Sequence, residues 1–219
     1  MFTLSMIKYY LIGEMHGTNE CYKAALKIIR KYKIKRVALE FPDIYKRELD
    51  AFSRGELSVR DLSIFRQKRR VHDGRASAAM MRFMSKLREM GIKLYFVMPT
   101  FTGKPSKVQH NSGQNEYEKA MAANLLKLPT PLAYYCGNVH AAKSLIYGIK
   151  PCGSLLPRSK TLSFRITASN GSTFYNLRIK KIPADKILKK TVKRTPALIE
   201  SDDPNYDFKY VIGRFTPSR

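Results

Sequence analysis

Runs of apolar residues alternate with amphipathic stretches through the first two-thirds of the chain. The apolar runs are short, nearly continuous and end at a glycine or a proline, as in residues 9–13 and 35–41. The stretches between them carry apolar side chains at helical spacing and charged side chains elsewhere, as in residues 19–33 and 76–89. Buried strands separated by helices are typical of a parallel sheet that helices cover on both faces.

Two further strands and one further helix continue this pattern. Strands are predicted over residues 93–98 and 131–137, with a helix over residues 116–126 between them. We therefore predict an α/β fold with a central, mostly parallel sheet and helices on both of its faces. A single domain is expected over residues 1–219, in which residues 1–150 form the parallel part and carry the functional site.

The last third of the chain has a different pattern. Residues 161–168 and 173–182 alternate apolar and polar positions, and Ser169-Asn170-Gly171-Ser172 lies between them. Asn-Gly between two alternating runs predicts a β-hairpin. A last strand is predicted over residues 207–215, so residues 151–219 are expected to extend the sheet with antiparallel strands.

Composition narrows the class of protein. With 219 residues, of which 44% are hydrophobic, the chain can bury a substantial core. Its three cysteines are odd in number and lack Cys-x-x-Cys spacing, which argues against a disulfide framework or a zinc finger and favours a reducing compartment. No apolar run is long enough to span a bilayer, and the first residues do not read as a signal peptide, so we expect a cytoplasmic protein.

The net charge indicates a negatively charged partner. Lysine and arginine number 41 against 17 acidic residues, which gives a formal charge of +24. Such an excess attracts anionic substrates or nucleic acid. Basic residues are densest in residues 66–70, 178–181 and 186–194, but no zinc-finger, RNP or helix-turn-helix motif accompanies them. An anionic small molecule or peptide is therefore the expected partner, with non-specific nucleic-acid binding as an alternative.

Reactive side chains lie at the ends of three predicted strands. Glu14 and His16 follow the first strand, Glu40 closes the second, and His140 follows the fourth. Ligands of an open parallel sheet bind just beyond the carboxyl ends of its strands. A carboxylate in an apolar run, such as Glu40, is costly to bury without a partner. Each residue alone could be a helix cap or a loop anchor, but together they predict a catalytic site.

Two kinds of chemistry fit these residues. A His–Glu pair could activate water as a general base, or Glu14, His16 and His140 could hold a divalent metal such as Mn, Co, Zn or Fe. The spacing is not that of a known zinc signature and leaves both open.

Nearby polar residues could bind the substrate. Arg75 could clamp an anionic group or a carboxylate, and Asn138 could stabilise a developing oxyanion. Asp73 belongs to the Asp73-Gly74-Arg75 turn and is assigned to substrate binding together with Arg75 and Asn138. The structural alternative for this segment is a turn that caps the following helix.

Three motifs carry a resemblance to a known group of proteins. Gly13-Glu14-Met15-His16, Ala38-Leu39-Glu40 and Gly137-Asn138-Val139-His140 resemble the superfamily of erythromycin esterases, ChaN-like proteins and TraB/Tiki proteins. The resemblance implies an α/β fold with paired Glu/His motifs at its site. It also implies one of three activities: macrolactone hydrolysis, metal-dependent proteolysis, or haem or iron binding. The Glu-x-His spacing and the short chain argue against a macrolide esterase.

The sequence thus leads to one main hypothesis and two alternatives. The main hypothesis is a hydrolase of ester or amide bonds, metal-dependent or not, that uses Glu14, His16, Glu40 and His140. The first alternative is a non-catalytic protein that holds a metal, haem or an anionic ligand at the same place. The second is a basic protein that binds polyanions such as nucleic acid.

Overall fold

The computed structural model describes residues 6–66, 74–99, 110–175, 178–182 and 195–218. The strands of this part of the chain are β1 (Tyr9–Glu14), β2 (Arg36–Pro42), β3 (Lys93–Met98), β4 (Leu132–Gly137), β5 (Thr161–Ala168), β6 (Gly171–Tyr175), β7 (Arg178–Ile182), β8 (Ala197–Glu200) and β9 (Phe208–Ile212). The α-helices are α1 (Cys21–Lys31), α2 (Lys46–Ser53), α3 (Ser63–Arg66), α4 (Ala78–Glu89) and α5 (His110–Leu126). Short 3-10 helices are Asp43–Tyr45, Val59–Asp61, Cys152–Leu155 and Arg158–Lys160.

The central sheet has seven strands in the order β3-β2-β4-β1-β5-β9-β8. Each neighbouring pair is parallel except β8 and β9, which are antiparallel. The inner strands β1 and β4 are buried along their whole length, which explains their continuous apolar sequences. The predicted α/β fold with an antiparallel extension from the C-terminal third is therefore confirmed.

Helices cover both faces of the sheet. On one face, buried residues of α1, α2, α3 and α4 belong to the same hydrophobic cluster as Tyr10 and Ile12 of β1. On the other face, α5 packs against Tyr9 and Leu11, because neighbouring residues of a strand point to opposite sides. Each fully buried aliphatic side chain in these two layers contributes about 2 kcal/mol to the stability of the fold, because its apolar surface is removed from water. Among the described helices, none combines the length and the apolar character needed to cross a membrane.

The predicted hairpin between residues 161–168 and 173–182 is wrong. β5 instead lies in the central sheet, parallel to both β1 and β9. β6 and β7 form a separate antiparallel pair. Gly171 has a φ of +139°, and a side chain there would overlap the backbone of Phe215. The Asn-Gly pair therefore brings the chain against its C-terminal segment and does not form the hairpin turn.

Candidate active site

The site is built on the carboxyl ends of β1, β4 and β2, which are neighbours in the sheet. Glu14 is the last residue of β1 and is paired in register with Gly137, the last residue of β4. Glu40 lies near the end of β2, and its Oε2 atom accepts a hydrogen bond of 2.8 Å from the backbone N–H of Gly137. Parallel pairing therefore brings two carboxylates together on either side of a glycine.

Glu14 orients the ring of His16. Its Oε1 atom lies 2.8 Å from Nδ1 of His16, and its Oε2 atom accepts a hydrogen bond from the hydroxyl of Tyr135. Glu14 is buried, so this pairing is shielded from water. Since Nδ1 is bound to Glu14, the other ring nitrogen, Nε2, is directed towards the middle of the site.

The position of the His16 ring depends on Gly137. A Cβ atom at position 137 would lie only 2.8 Å from Nε2, so the ring packs directly against the glycine and would have to move if a side chain were present. The nearest oxygen of Glu40 is 3.7 Å from Nε2, which exceeds hydrogen-bonding range. The His16 side chain is 20% exposed and is therefore accessible to water.

Glu40 connects the two predicted histidines. Its Oε1 atom accepts a 2.6 Å hydrogen bond from Arg75 and lies 3.3 Å from Nε2 of His140. Only 5% of the Glu40 side chain is exposed. Burial raises the pKa of Glu40, but the positive charges of His140 and Arg75 outweigh burial and hold the pKa well below its usual range. Glu40 is therefore a permanent anion at neutral pH.

His140 is held between two carboxylates. Its Nδ1 atom lies 2.7 Å from Oε1 of Glu118, a residue of α5 with no exposed surface. Glu118 also accepts hydrogen bonds from the backbone N–H of Cys152 at 2.8 Å and from the side chain of Gln114 at 2.6 Å. All of these donors fix Glu118, which in turn fixes His140.

The surroundings of the two histidines affect their pKa values differently. Burial lowers the pKa of His140, but the carboxylates of Glu40 and Glu118 outweigh burial and raise the pKa to about 10. The pKa of His16 is also raised. Burial and the positive charge of Arg75 lower this pKa, but the hydrogen bond to Glu14 and the charges of the carboxylates outweigh both. His140 has a carboxylate at each ring nitrogen, and His16 has one in hydrogen-bonding range. His140 is therefore an imidazolium near neutral pH, and His16 is the histidine that can lose its proton more easily.

The structure brings the five residues Glu14, His16, Glu40, Arg75 and His140 into one cluster. Two other predicted residues remain. Asp73 lies outside the described residues. The Oδ1 atom of Asn138 is buried against Gly13 and has no hydrogen-bond partner in the described part of the chain, so this atom does not face an entering substrate.

Glu118 and Tyr135 are site residues that the sequence analysis missed. Glu118 shares helical spacing with Met121, Ala122 and Leu125, which are all buried, and this periodicity was the available signal. Tyr135 lies inside the apolar β4 and was indistinguishable from a core residue. Its hydroxyl nevertheless reaches Glu14 because β1 and β4 are paired.

The donor set does not fit a metal ion as it is arranged. Within the described residues, no group of three or more His, Cys, Asp or Glu side chains is placed to hold one. Glu14 already accepts hydrogen bonds at both oxygens, and the ring nitrogens of His140 are directed at two carboxylates. The predicted ligands Glu14, His16 and His140 are therefore engaged with other protein groups.

The cysteines are not candidates for a nucleophile. All three are buried and unpaired by disulfides, and burial raises the pKa of each thiol. A buried thiol with a raised pKa carries little of the reactive thiolate. The chemistry of the site is therefore that of carboxylates, imidazoles and a guanidinium.

Neither the protein-family models nor the curated proteins include a match to this chain. Among solved structures, a succinoglycan biosynthesis protein has a TM-score of 0.72 at 12% identity, over 99% of this chain and 90% of that one. A protein from Bacillus cereus has a TM-score of 0.65 at 10% identity, over 98% and 90% of the two chains. A mutant of the erythromycin esterase EreC in its open conformation has a TM-score of 0.67 at 9% identity, over 97% and 92%. These similarities confirm at the level of the fold the resemblance found in the motifs.

Proposed function

We propose that this chain is a hydrolase of ester or amide bonds in which His16 activates a water molecule as general base. The observation that carries the proposal is the geometry of His16. Its Nδ1 atom is 2.8 Å from a buried carboxylate, its Nε2 atom is 3.7 Å from the nearest oxygen of Glu40, and 20% of its side chain is exposed. A base that a carboxylate orients and that water can reach is what hydrolysis by water requires.

The proposed reaction begins with neutral His16. Its Nδ1–H donates to Glu14, so Nε2 carries the lone pair and accepts a hydrogen bond from water. The water oxygen attacks the carbonyl carbon of the substrate while Nε2 takes the proton, which gives a tetrahedral intermediate. Nε2–H then donates this proton to the leaving oxygen or nitrogen as the intermediate collapses.

Positive charge beside His16 would stabilise the oxyanion of that intermediate. Arg75 is 26% exposed, and His140 is an imidazolium near neutral pH because of its raised pKa. Glu40 binds both groups and so fixes the position of their charges. Fixed charges in a largely dry site need no reorganisation as the transition state forms.

The two other candidates for the base are less suitable. Glu40 is a weak base because neighbouring cations hold its pKa well below the usual range. His140 is protonated near neutral pH, and both of its ring nitrogens are directed at carboxylates. His16 therefore remains the group whose acidity and open side match the role.

The test compares His16→Asn with the unchanged protein on para-nitrophenyl butyrate and on peptide substrates. Turnover is expected to fall by about a hundredfold to ten-thousandfold, as is typical for loss of a general base. Circular dichroism and the unfolding temperature check the fold of the variant. Hydrolysis that survives undiminished in folded His16→Asn would contradict the proposal.

A second candidate is a protein that binds an anionic ligand without turnover. Arg75 and the His140 imidazolium place two positive charges beside His16, and this observation favours the binding of an anion. Calorimetric titration with glutarate distinguishes the two functions. Binding that needs Arg75, with no hydrolysis of any ester tested, would support the second candidate.

A further inference from the structure

The β6–β7 hairpin is attached to the loop that carries His16. The hydroxyl of Thr173 in β6 donates a hydrogen bond to the carbonyl of His16. The backbone N–H of Phe174 donates to the carbonyl of Gly17 at 3.0 Å. Gly74, in the turn that leads to the site arginine, also packs against Gly17 so closely that a side chain there would overlap its backbone. The hairpin therefore borders the active site.

The second strand of this hairpin is strongly basic. Arg178, Lys180 and Lys181 of β7 are exposed, and neither β6 nor β7 contains an acidic residue. Lys180 lies directly opposite Thr173, and Arg178 is two residues away on the same strand. Directly opposite residues of an antiparallel pair project from the same face. Arg178 and Lys180 thus project from the face on which Thr173 reaches the histidine loop.

The catalytic cluster has no excess positive charge of its own. Its charged groups are the carboxylates of Glu14, Glu40 and Glu118 and the cations of Arg75, His140 and, below its pKa, His16. These charges cancel when both histidines are protonated and leave one negative charge when His16 is neutral. A negatively charged substrate would therefore bind more tightly if cations outside the cluster also contacted it.

We propose that the β6–β7 hairpin is the substrate-recognition arm of this site. Arg178 and Lys180 bind a carboxylate or phosphate group that the substrate carries at some distance from the bond to be cleaved. The substrate class is thus an anionic ester or amide. This inference rests on the proposed hydrolase function for the bond that is cleaved, but binding of the anionic group can be measured independently.

The test neutralises the arm and compares it with a matched control. The arm variant is Arg178→Gln/Lys180→Gln. The control is Lys8→Gln/Lys160→Gln, which removes the same charge from exposed residues at the amino ends of β1 and β5, the opposite edge of the sheet. Both variants replace exposed side chains only, and their unfolding temperatures verify the fold.

Two substrates with the same leaving group isolate the effect of charge. With mono-para-nitrophenyl glutarate, the arm variant is expected to have a KM about tenfold higher, the combined effect of two exposed ion pairs of modest strength. With para-nitrophenyl butyrate, which ends in a methyl group, KM is expected to stay unchanged. The control variant is expected to show neither effect, and competition by glutarate or glycerol phosphate tells which oxyacid the arm prefers.

A binding measurement separates this inference from the proposed function. Fluorescence anisotropy of dye-labelled hexaglutamate is expected to show about tenfold weaker binding to the arm variant than to the control variant. This result would support the arm even if the protein hydrolysed no ester. Equal loss in the two variants would overturn it in favour of a net-charge effect. Binding of duplex DNA without binding of hexaglutamate would overturn it in favour of a nucleic-acid-binding protein.

Discussion

Gly137 allows the ring of His16 to pack directly against the end of β4. In Gly137→Ala, the new methyl group would lie 2.8 Å from Nε2, so the ring that the proposed reaction uses would have to move. We expect kcat to fall by about a hundredfold, since a displacement of about 1 Å in a catalytic group has an effect of this size. Hydrolysis of para-nitrophenyl butyrate measures it.

Gly113→Ala is the matched control for this substitution. Gly113 lies in α5, and a Cβ atom there would meet nothing within 4 Å. The control is expected to retain full activity and to gain about 0.5–1 kcal/mol in the free energy of unfolding, because alanine favours a helix. Equal activity in the two alanine variants would show that turnover does not depend on the position of the His16 ring against Gly137.

The residues at the strand ends could be predicted from the sequence, but their partners could not. Glu14, Glu40 and His140 each follow an apolar run that ends abruptly, and the strand-end rule then places them together. Glu118 lies in a helix that also contains the exposed Glu116 and Lys119. Its burial depends on the segment around Cys152, far away in sequence, whose N–H it accepts.

The helix α5 holds Glu118 and thereby controls the charge on His140. In Glu118→Gln, His140 loses one of its two carboxylates, so its pKa is expected to fall from about 10. If the imidazolium supports catalysis, the alkaline limb of the pH profile of kcat/KM then moves to lower pH. The acid limb, which reports His16, is expected to stay in place.

A second substitution on the same helix distinguishes a positioning role of Glu118 from a general disturbance of the helix. Glu116→Gln changes the same side chain at an exposed position, where it pairs only with Lys119 among the described residues. Its pH profile is expected to match that of the unchanged protein. Nuclear magnetic resonance titration of the histidine rings gives the pKa directly, and an unaltered His140 in Glu118→Gln would refute the assigned role.

The strands show where pattern analysis succeeds and where it fails. The strands β1 to β4 were predicted because each is a short apolar run that helices separate. β5 alternates polar and apolar residues as an exposed hairpin strand does, yet Thr161 and Ser163 are buried beside β1. Thr161 donates a hydrogen bond to the carbonyl of Pro157, which allows its burial. Such local partners are invisible to a pattern based on polarity alone.

The whole molecule combines a highly basic chain with a buried cluster of balanced charge. The formal charge of +24 belongs to the entire sequence, whereas the active site matches three carboxylates with an arginine and two histidines. Long-range attraction of anions and the catalytic chemistry are thus separate properties. The first is screened by salt, and the second, in a buried cluster, much less.

The buried cluster also links the stability of the whole fold to pH. The pKa of His140 is raised from its model-compound value of 6.5 to about 10, so its contribution is complete below about pH 6.5 and is lost as pH rises towards 10. The pKa of Glu40 is lowered, so its contribution is present above about pH 4.5 and is lost as pH falls through the folded value. The free energy of unfolding is therefore expected to be highest between these limits.

Urea unfolding at pH values of about 6 and 9.5 measures the alkaline loss, for which we expect about 2 kcal/mol or more from His140. The double variant Glu118→Gln/His140→Gln replaces the charged pair by two amides, so no carboxylate is left without its histidine at that contact. Its free energy of unfolding is expected to change less between the two pH values. The same loss in both proteins would mean that other groups, and not the His140 pair, set the alkaline limit of the fold.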